Sequence, residues 1–134
     1  MTTWERVEAF ALTLPETTST PSYGGAPALR VNKKMFARLR GEMADDLDER
    51  TGAPYGEVLM VGVGDLGEKE AVLASDPRAY FTVPHYDGYP AVLVRLAEAD
   101  DTEVLELLVE AWMRTAPKRA LRAYEATVGP LPGG

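Results

Sequence analysis

The chain has 134 residues, 46% apolar and 26% charged, the proportions of one ordinary globular domain rather than of a disordered segment. Fourteen Lys and Arg stand against 21 Asp and Glu, a formal charge of −7, which excludes nucleic-acid binding driven by whole-protein charge. With no cysteine and one histidine, the chain cannot build a disulfide scaffold, a thiol nucleophile, a thiolate metal or iron–sulfur site, or a multi-histidine zinc site.

Trp4, Val7, Phe10, Ala11 and Leu14 recur at helical spacing behind Thr2 or Thr3 as N-cap, and Pro15 stops that helix. The polar, β-branched stretch from Thr17 to Tyr23 suits an edge strand, because Pro21 has no N–H for a central ladder. Gly24-Gly25-Ala26-Pro27 is a turn or bulge. Ala28 to Val31 and Met35 to Arg40, joined by Asn32-Lys33-Lys34, read as a β-hairpin. Strict alternation in its second arm puts Met35, Ala37 and Leu39 on one face and Phe36, Arg38 and Arg40 on the other.

Gly41 to Pro54 is a polar loop with five acids (Glu42, Asp45, Asp46, Asp48 and Glu49) against one base, Arg50. Glu57 to Val63 is a strand, and Glu68 to Ser75 a short helix started near Gly67. Ala79 to Val83 and Ala91 to Arg95 pair as strands, and the Pro84 to Pro90 segment between them is too long for a two-residue turn. Asp100 caps the next helix, with Glu103 completing an Asp-x-x-Glu variant of the capping box. Val104, Leu105, Leu108, Ala111 and Trp112 form its buried stripe. Pro117 begins a last helix whose apolar face is Ala120, Leu121 and Tyr124.

The order is helix, three strands, short helix, two strands and two helices. It predicts an α+β fold: one antiparallel sheet of about five strands with helices packed on one face. Residues 1–128 are expected to form a single domain, followed by a flexible tail from Gly129 to Gly134. No basic run followed by an apolar stretch opens the chain, and no window approaches the ~18 apolar residues that span a bilayer. A cytoplasmic monomer with no membrane partner is the expectation.

Four blocks carry a resemblance to a known family. They are Ser22-Tyr23-Gly24 with Pro27 and Arg30-Val31; Phe36-Ala37-Arg38-Leu39; Thr82-Val83-Pro84-His85-Tyr86-Asp87-Gly88-Tyr89-Pro90 with Val92-Leu93-Val94; and Glu110-Ala111-Trp112 with Ala116-Pro117-Lys118-Arg119. In this order they resemble the MmcQ/YjbR family of small bacterial proteins, from about Val7 to Tyr124. The resemblance implies a fold similar to CyaY (bacterial frataxin) and to type III secretion chaperones. It also implies the DNA-binding label common in the family, with a double-wing arrangement of hairpins. This chain departs from the family at Gly24-Gly25-Ala26-Pro27, where members often carry Gly-His-Pro or Gly-Arg-Pro, and in its longer, more acidic Gly41 to Pro54 loop.

The local basic surfaces are the hairpin, with Arg30, Lys33, Lys34, Arg38 and Arg40, and the segment with Arg114, Lys118, Arg119 and Arg122. The candidate nucleic-acid contacts are Lys33, Lys34, Arg38, Arg40, Lys118, Arg119 and Arg122, directed at phosphates and therefore weak and salt-sensitive. The alternative is a chaperone-like interaction module that binds a basic protein segment. His85 beside Asp87 is the one acid–base candidate; without a nucleophile it reads better as part of a packed loop with Tyr86 and Tyr89. No catalytic set, cofactor or metal is expected. The acids from Glu42 to Glu49 lack a calcium-loop spacing, and the first helix, with Glu5, Arg6 and Glu8, lacks the acidic ridge of frataxins. Gly62-x-Gly64-x-x-Gly67 matches a dinucleotide fingerprint but has no βαβ unit around it, so it reads as a strand-to-helix loop.

Overall fold

Two central strands are apolar at consecutive positions because both of their faces are covered. β4 (Val58–Gly62) and β6 (Ala91–Arg95) pair antiparallel through Val58↔Arg95 to Gly62↔Ala91. Leu59, Val61, Val92 and Val94 enter one core, while Val58, Met60, Ala91 and Leu93 enter a second on the opposite side. Around this pair lie β1 (Thr17–Pro21), β2 (Pro27–Val31), β3 (Lys34–Leu39) and β5 (Tyr80–Phe81). The sheet order is β1-β2-β3-β4-β6-β5 and every pairing is antiparallel. The computed structural model describes residues 1–128, so the expected tail from Gly129 to Gly134 lies outside the described residues.

The sheet therefore has six strands, four of them before the short helix. Thr17–Pro21 is the edge strand its composition suits, pairing residue by residue with Val31–Pro27 where Pro21 costs no ladder bond, and it brings the expected count of about five strands up to six. Four helices serve the first core: α1 (Trp4–Ala11), α2 (Leu66–Ser75), α3 (Asp101–Thr115) and α4 (Lys118–Val128). Side chains fix three of the starts. Thr3 Oγ1 accepts from Arg6 N, Asp65 Oδ1 from Glu68 N and Asp100 Oδ2 from Glu103 N. The α3 box closes only halfway, because Glu103 accepts from the Tyr80 hydroxyl instead of reaching back to its cap. Val104, Leu108, Ala111 and Trp112 are buried as their spacing predicts; Leu105 is only half-buried. Trp112 Nε1 donates to Pro15 O, and its ring lies 5.3 Å from that of Tyr124, which ties α3 to α4 and to the end of α1.

The β2–β3 hairpin turns through Asn32 and Lys33, both left-handed (φ 53° and 66°), the twist that a two-residue primed turn requires. Its second arm breaks the expected alternation. Leu29 pairs with Ala37 but Arg30 pairs with Met35, so Phe36 is a bulged extra residue. Phe36 consequently joins Ala37 in the helix-side core, and Met35 moves to the opposite face beside Arg38.

That opposite face is covered unevenly. Met43 and Tyr55 of the acidic loop, with Tyr86, close over β4, β6 and β5, while β2 and β3 remain open. The loop is not a solvated run of acids. Asp48 forms a buried ion pair with Arg95, whose Nη2 donates to Asp48 Oδ1 at 2.9 Å. Arg95 also donates to Arg78 O and lies 4.2 Å above the Phe81 ring. The hydrogen bonds from Arg95 hold the Asp48 carboxyl below its ordinary value, against the burial that raises it. Removing one partner of a buried pair leaves a stranded charge, so Asp48→Ala is expected to cost about 3–5 kcal/mol in urea unfolding. Glu98→Ala, at the Arg50–Glu98 pair with both side chains 36% exposed, should cost about 0–1 kcal/mol. Equally small losses at the two sites would show that the loop is held by something other than the buried pair.

Candidate functional site

The open part of this face is a cleft of about 1210 Å³. Its floor comes from the strands: Arg30 on β2, Met35 and Arg38 on β3, Met60 on β4. One wall is the turn at Ser22 and Gly24; the other is Glu42 with the segment from His85 to Tyr89. The bulge at Phe36 makes this floor possible, because regular alternation would have placed Met35 on the face opposite Arg38.

Within the cleft Arg38 is 8% exposed, and its Nη2 donates to Glu42 Oε1 at 2.9 Å. Arg40 donates through Nε to the same oxygen at 2.8 Å, and its guanidinium lies 5.1 Å from the Tyr86 ring centre. Burial pushes the Glu42 carboxyl up, but the hydrogen bonds from Arg38 and Arg40 outweigh it and hold the group down at about 2. Arg30 has a different partner: its Nη1 donates to Thr20 Oγ1. Met35 and Tyr89 leave 40% and 53% of their surfaces exposed to the cleft and its rim, so its lining is apolar with arginines set into it.

The wall from Pro84 to Tyr89 is fixed from below by a residue that gave no sign in the sequence. Lys69 of α2 is 6% exposed, and its Nζ donates to Tyr86 O at 2.6 Å and Tyr89 O at 2.9 Å. A lysine between Glu68 and Glu70 reads as surface; the two carbonyls that capture it come from a turn 17 and 20 residues away. Packing of Tyr86, expected from the sequence, is present, whereas Tyr89 is held by its main chain and its ring is exposed. His85 is exposed on the rim, edge-on to Tyr86 at 5.1 Å. No carboxylate hydrogen-bonds its ring among the described residues.

The seven cations expected to contact nucleic acid do not form one surface. Arg38 and Arg40 are turned into the cleft side and tied to Glu42, towards the opposite end of β3 from Lys34. Lys33 and Lys34 stand exposed at the hairpin tip. Lys118, Arg119 and Arg122 lie on α4, and Arg119 forms a salt bridge with Glu16 at 2.7 Å. Glu16 precedes Thr17, the partner of Val31 at the hairpin end, so the α4 group and the hairpin tip share one end of the sheet. Lys118 and Arg119 occupy the first turn of α4, the positive end of its dipole, and so do not neutralise a negative helix end. Arg114 is separated from them by the break at Ala116 (ψ 143°) and donates to Gly62 O.

An antiparallel six-stranded sheet with four helices on one face and an arginine-floored cleft on the other defines the class of protein. Comparison with known proteins makes it specific. The YjbR family model matches residues 12–114, and the chain belongs to that family. Uncharacterised proteins of Mycobacterium bovis and Mycobacterium tuberculosis are each 40% identical over 133 residues, covering 96% of this chain and 100% of theirs. The crystal structure of a Deinococcus radiodurans protein with a DUF419 domain matches with TM-score 0.66 at 19% identity, over 100% of this chain and 95% of that one. That last likeness is one of fold. Among the described residues, no helix is long and apolar enough to cross a membrane.

The depressed Glu42 carboxyl makes stability depend on pH. A carboxyl near 2 in the folded chain and near 4.5 in the unfolded one stabilises fully above about pH 4.5, and this contribution is lost as pH falls towards 2. Glu42→Gln should therefore flatten the acid limb of a thermal-unfolding profile between those values. Parallel profiles for the two proteins would show that the carboxylate is not held by the arginines in solution.

Proposed function

We propose that this chain is a non-enzymatic binding module and that the cleft on the open sheet face is its working surface, gripping an extended polypeptide segment. The observation that carries this reading is convergence. Three of the four sequence blocks that mark the family resemblance supply the cleft: Ser22 and Gly24, Arg38, and the turn from His85 to Tyr89. The lining suits a polypeptide. Methionines adapt to varied side chains, Tyr86 and Tyr89 offer aromatic edges, and the cleft is large for a single small molecule. An overall charge of −7 favours a basic partner at long range. Inside the cleft the arginine floor reverses that preference over the short distances at which screening allows contact.

The reading is checked by selecting random decapeptides on the wild-type chain and on a Met35→Glu, Tyr89→Ser double variant. Both substituted residues are exposed, so the variant should keep its melting temperature while losing at least tenfold in enrichment of the selected peptides. Failure of the wild type to enrich any sequence, or equal enrichment by both proteins, would remove the cleft as the binding surface.

A second reading, phosphate-directed DNA binding, is favoured by the shared location of the hairpin tip and α4. The contacts would be Lys33, Lys34, Lys118 and Arg122, with Arg119 partly spent on Glu16 and Arg38 and Arg40 withdrawn. Anisotropy titrations with mixed duplexes should then show affinity falling steeply with salt, with a slope of about −0.9 per phosphate contacted. Charge reversal at Lys33 and Lys34 should weaken binding to every sequence alike. No binding into the high micromolar range at low salt would dismiss this reading.

A further inference from the structure

Charge on the open sheet face does not balance. Arg30, Arg38, Arg40 and Arg95 all lie on this side, and the acidic loop sends it two carboxylates. Asp48 neutralises Arg95. Glu42 alone serves both Arg38 and Arg40. Arg30 meets only the Thr20 hydroxyl, and no carboxylate lies within salt-bridge distance of it among the described residues. Arg40 keeps a further sign of the shortage, since its Nη1 is buried without a hydrogen-bond partner. A guanidinium removed from water is costly unless an anion and its hydrogen bonds replace the solvent. Asp87 also lines the cleft but forms no salt bridge among the described residues, so Arg30 has no paired anion and Arg38 and Arg40 share one.

The register places the two cleft arginines within reach of one another. Arg38 pairs with Ala28, and Arg30 follows Ala28 by two residues on the same face, a diagonal with side-chain bases about 7–8 Å apart. Two planar forks at that separation can converge on one oxyanion, the geometry in which arginine outperforms lysine. Met35 and Met60 lie beside them and offer an apolar surface to whatever carries the anion.

We propose that the cleft contains an oxyanion site formed by Arg30 and Arg38, for a carboxylate or phosphate whose apolar neighbour rests on Met35 and Met60. The proposal deepens the polypeptide reading: the bound segment would present an acidic side chain, a terminal carboxylate or a phosphorylated residue there. Glu42 is then the resident carboxylate that holds Arg38 when no ligand is bound and competes with the ligand for it.

The test follows arginine Nε–Hε signals by NMR while the full chain is titrated with inorganic phosphate in one arm and N-acetyl-aspartate in the other. Saturable shifts at Arg30 and Arg38 are expected in at least one arm, and the arm that responds identifies the group bound. Arg30→Gln should weaken binding at least tenfold, and Arg30→Lys, which keeps charge but loses the fork, should fall between the two. Glu42→Gln should tighten binding at least threefold by removing the competing charge, and Arg122→Gln on α4 should change nothing. Absence of saturable shifts in both arms, or full binding by a folded Arg30→Gln chain, would overturn the site. Anion binding without peptide selection would defeat the polypeptide reading and leave the site standing. Peptide selection with no acidic position and no effect of Arg30→Gln would do the reverse.

Discussion

Arginines on a sheet face that is partly roofed over must find carboxylates, and this requirement shapes the whole non-helical side of the molecule. Arg95 and Arg38 are 7% and 8% exposed, too deep for water to solvate them fully. The loop from Gly41 to Gly56 answers with Asp48 and Glu42, and in doing so brings Met43 and Tyr55 over Val58, Met60 and Leu93. Met43, which is buried, and Tyr55, stacked on Phe81 at 5.2 Å, add an apolar hold to that of the loop's ion pairs. Only one of its pairs is buried on both sides; the exposed Arg50–Glu98 contact adds little by comparison. The same loop that completes a core over β4 and β6 stops short of β2 and β3, and the cleft is what remains uncovered.

Much of the first core was legible because it follows the two simplest periodicities. Val104, Leu108, Ala111 and Trp112 recur at helical spacing behind a capping Asp100, and β4 and β6 are short apolar runs between turn signals. The cleft was not legible, for reasons that are physical. A bulge at Phe36 changes which face every earlier residue of β3 occupies, and both registers bury an apolar set. The only trace is that Met35, Phe36 and Ala37 are apolar in succession, which alternation does not explain. The acids of the loop read as solvated because their partners are distant in sequence: Asp48 finds Arg95 across 47 residues. Glu42 was the exception that local spacing offered, four residues from Arg38. Lys69 was hidden for the opposite reason, since its partners are main-chain carbonyls and leave no mark on residue type.

Net charge and local charge argue for different partners, and distance decides between them. A formal charge of −7 acts over the whole surface, but screening at physiological salt limits any field to about 8–10 Å. Inside the cleft the charged lining is Arg30, Arg38, Glu42 and Asp87, and Arg30 has no carboxylate partner among the described residues. At the hairpin end the exposed lysines stand beside Arg119, whose charge Glu16 already meets. The hairpin end is thus basic and exposed, whereas the cleft is concave and chemically mixed. Phosphate contacts need only the first kind of surface; recognition of a shaped ligand needs the second.

The cleft is also built to keep its shape before anything enters. Three of the strands that make its floor are joined by ladder hydrogen bonds on both sides. Lys69 clamps one wall through two carbonyls, and Arg38 with Arg40 hold Glu42 in the same wall. The opposite wall is different. Gly24 and Gly25 both adopt left-handed backbone (φ 66° and 83°), and no neighbouring atom would meet a side chain there. The turn is nonetheless closed by hydrogen bonds, from Ser22 N and Oγ to Ala26 O and from Gly25 N to Ser22 O, so a floor and walls fixed beforehand place most of the ordering cost of binding on the ligand. Such a surface discriminates by what its fixed groups demand, an anion between two arginines, and leaves room for variation beside Gly24 and the exposed Met35.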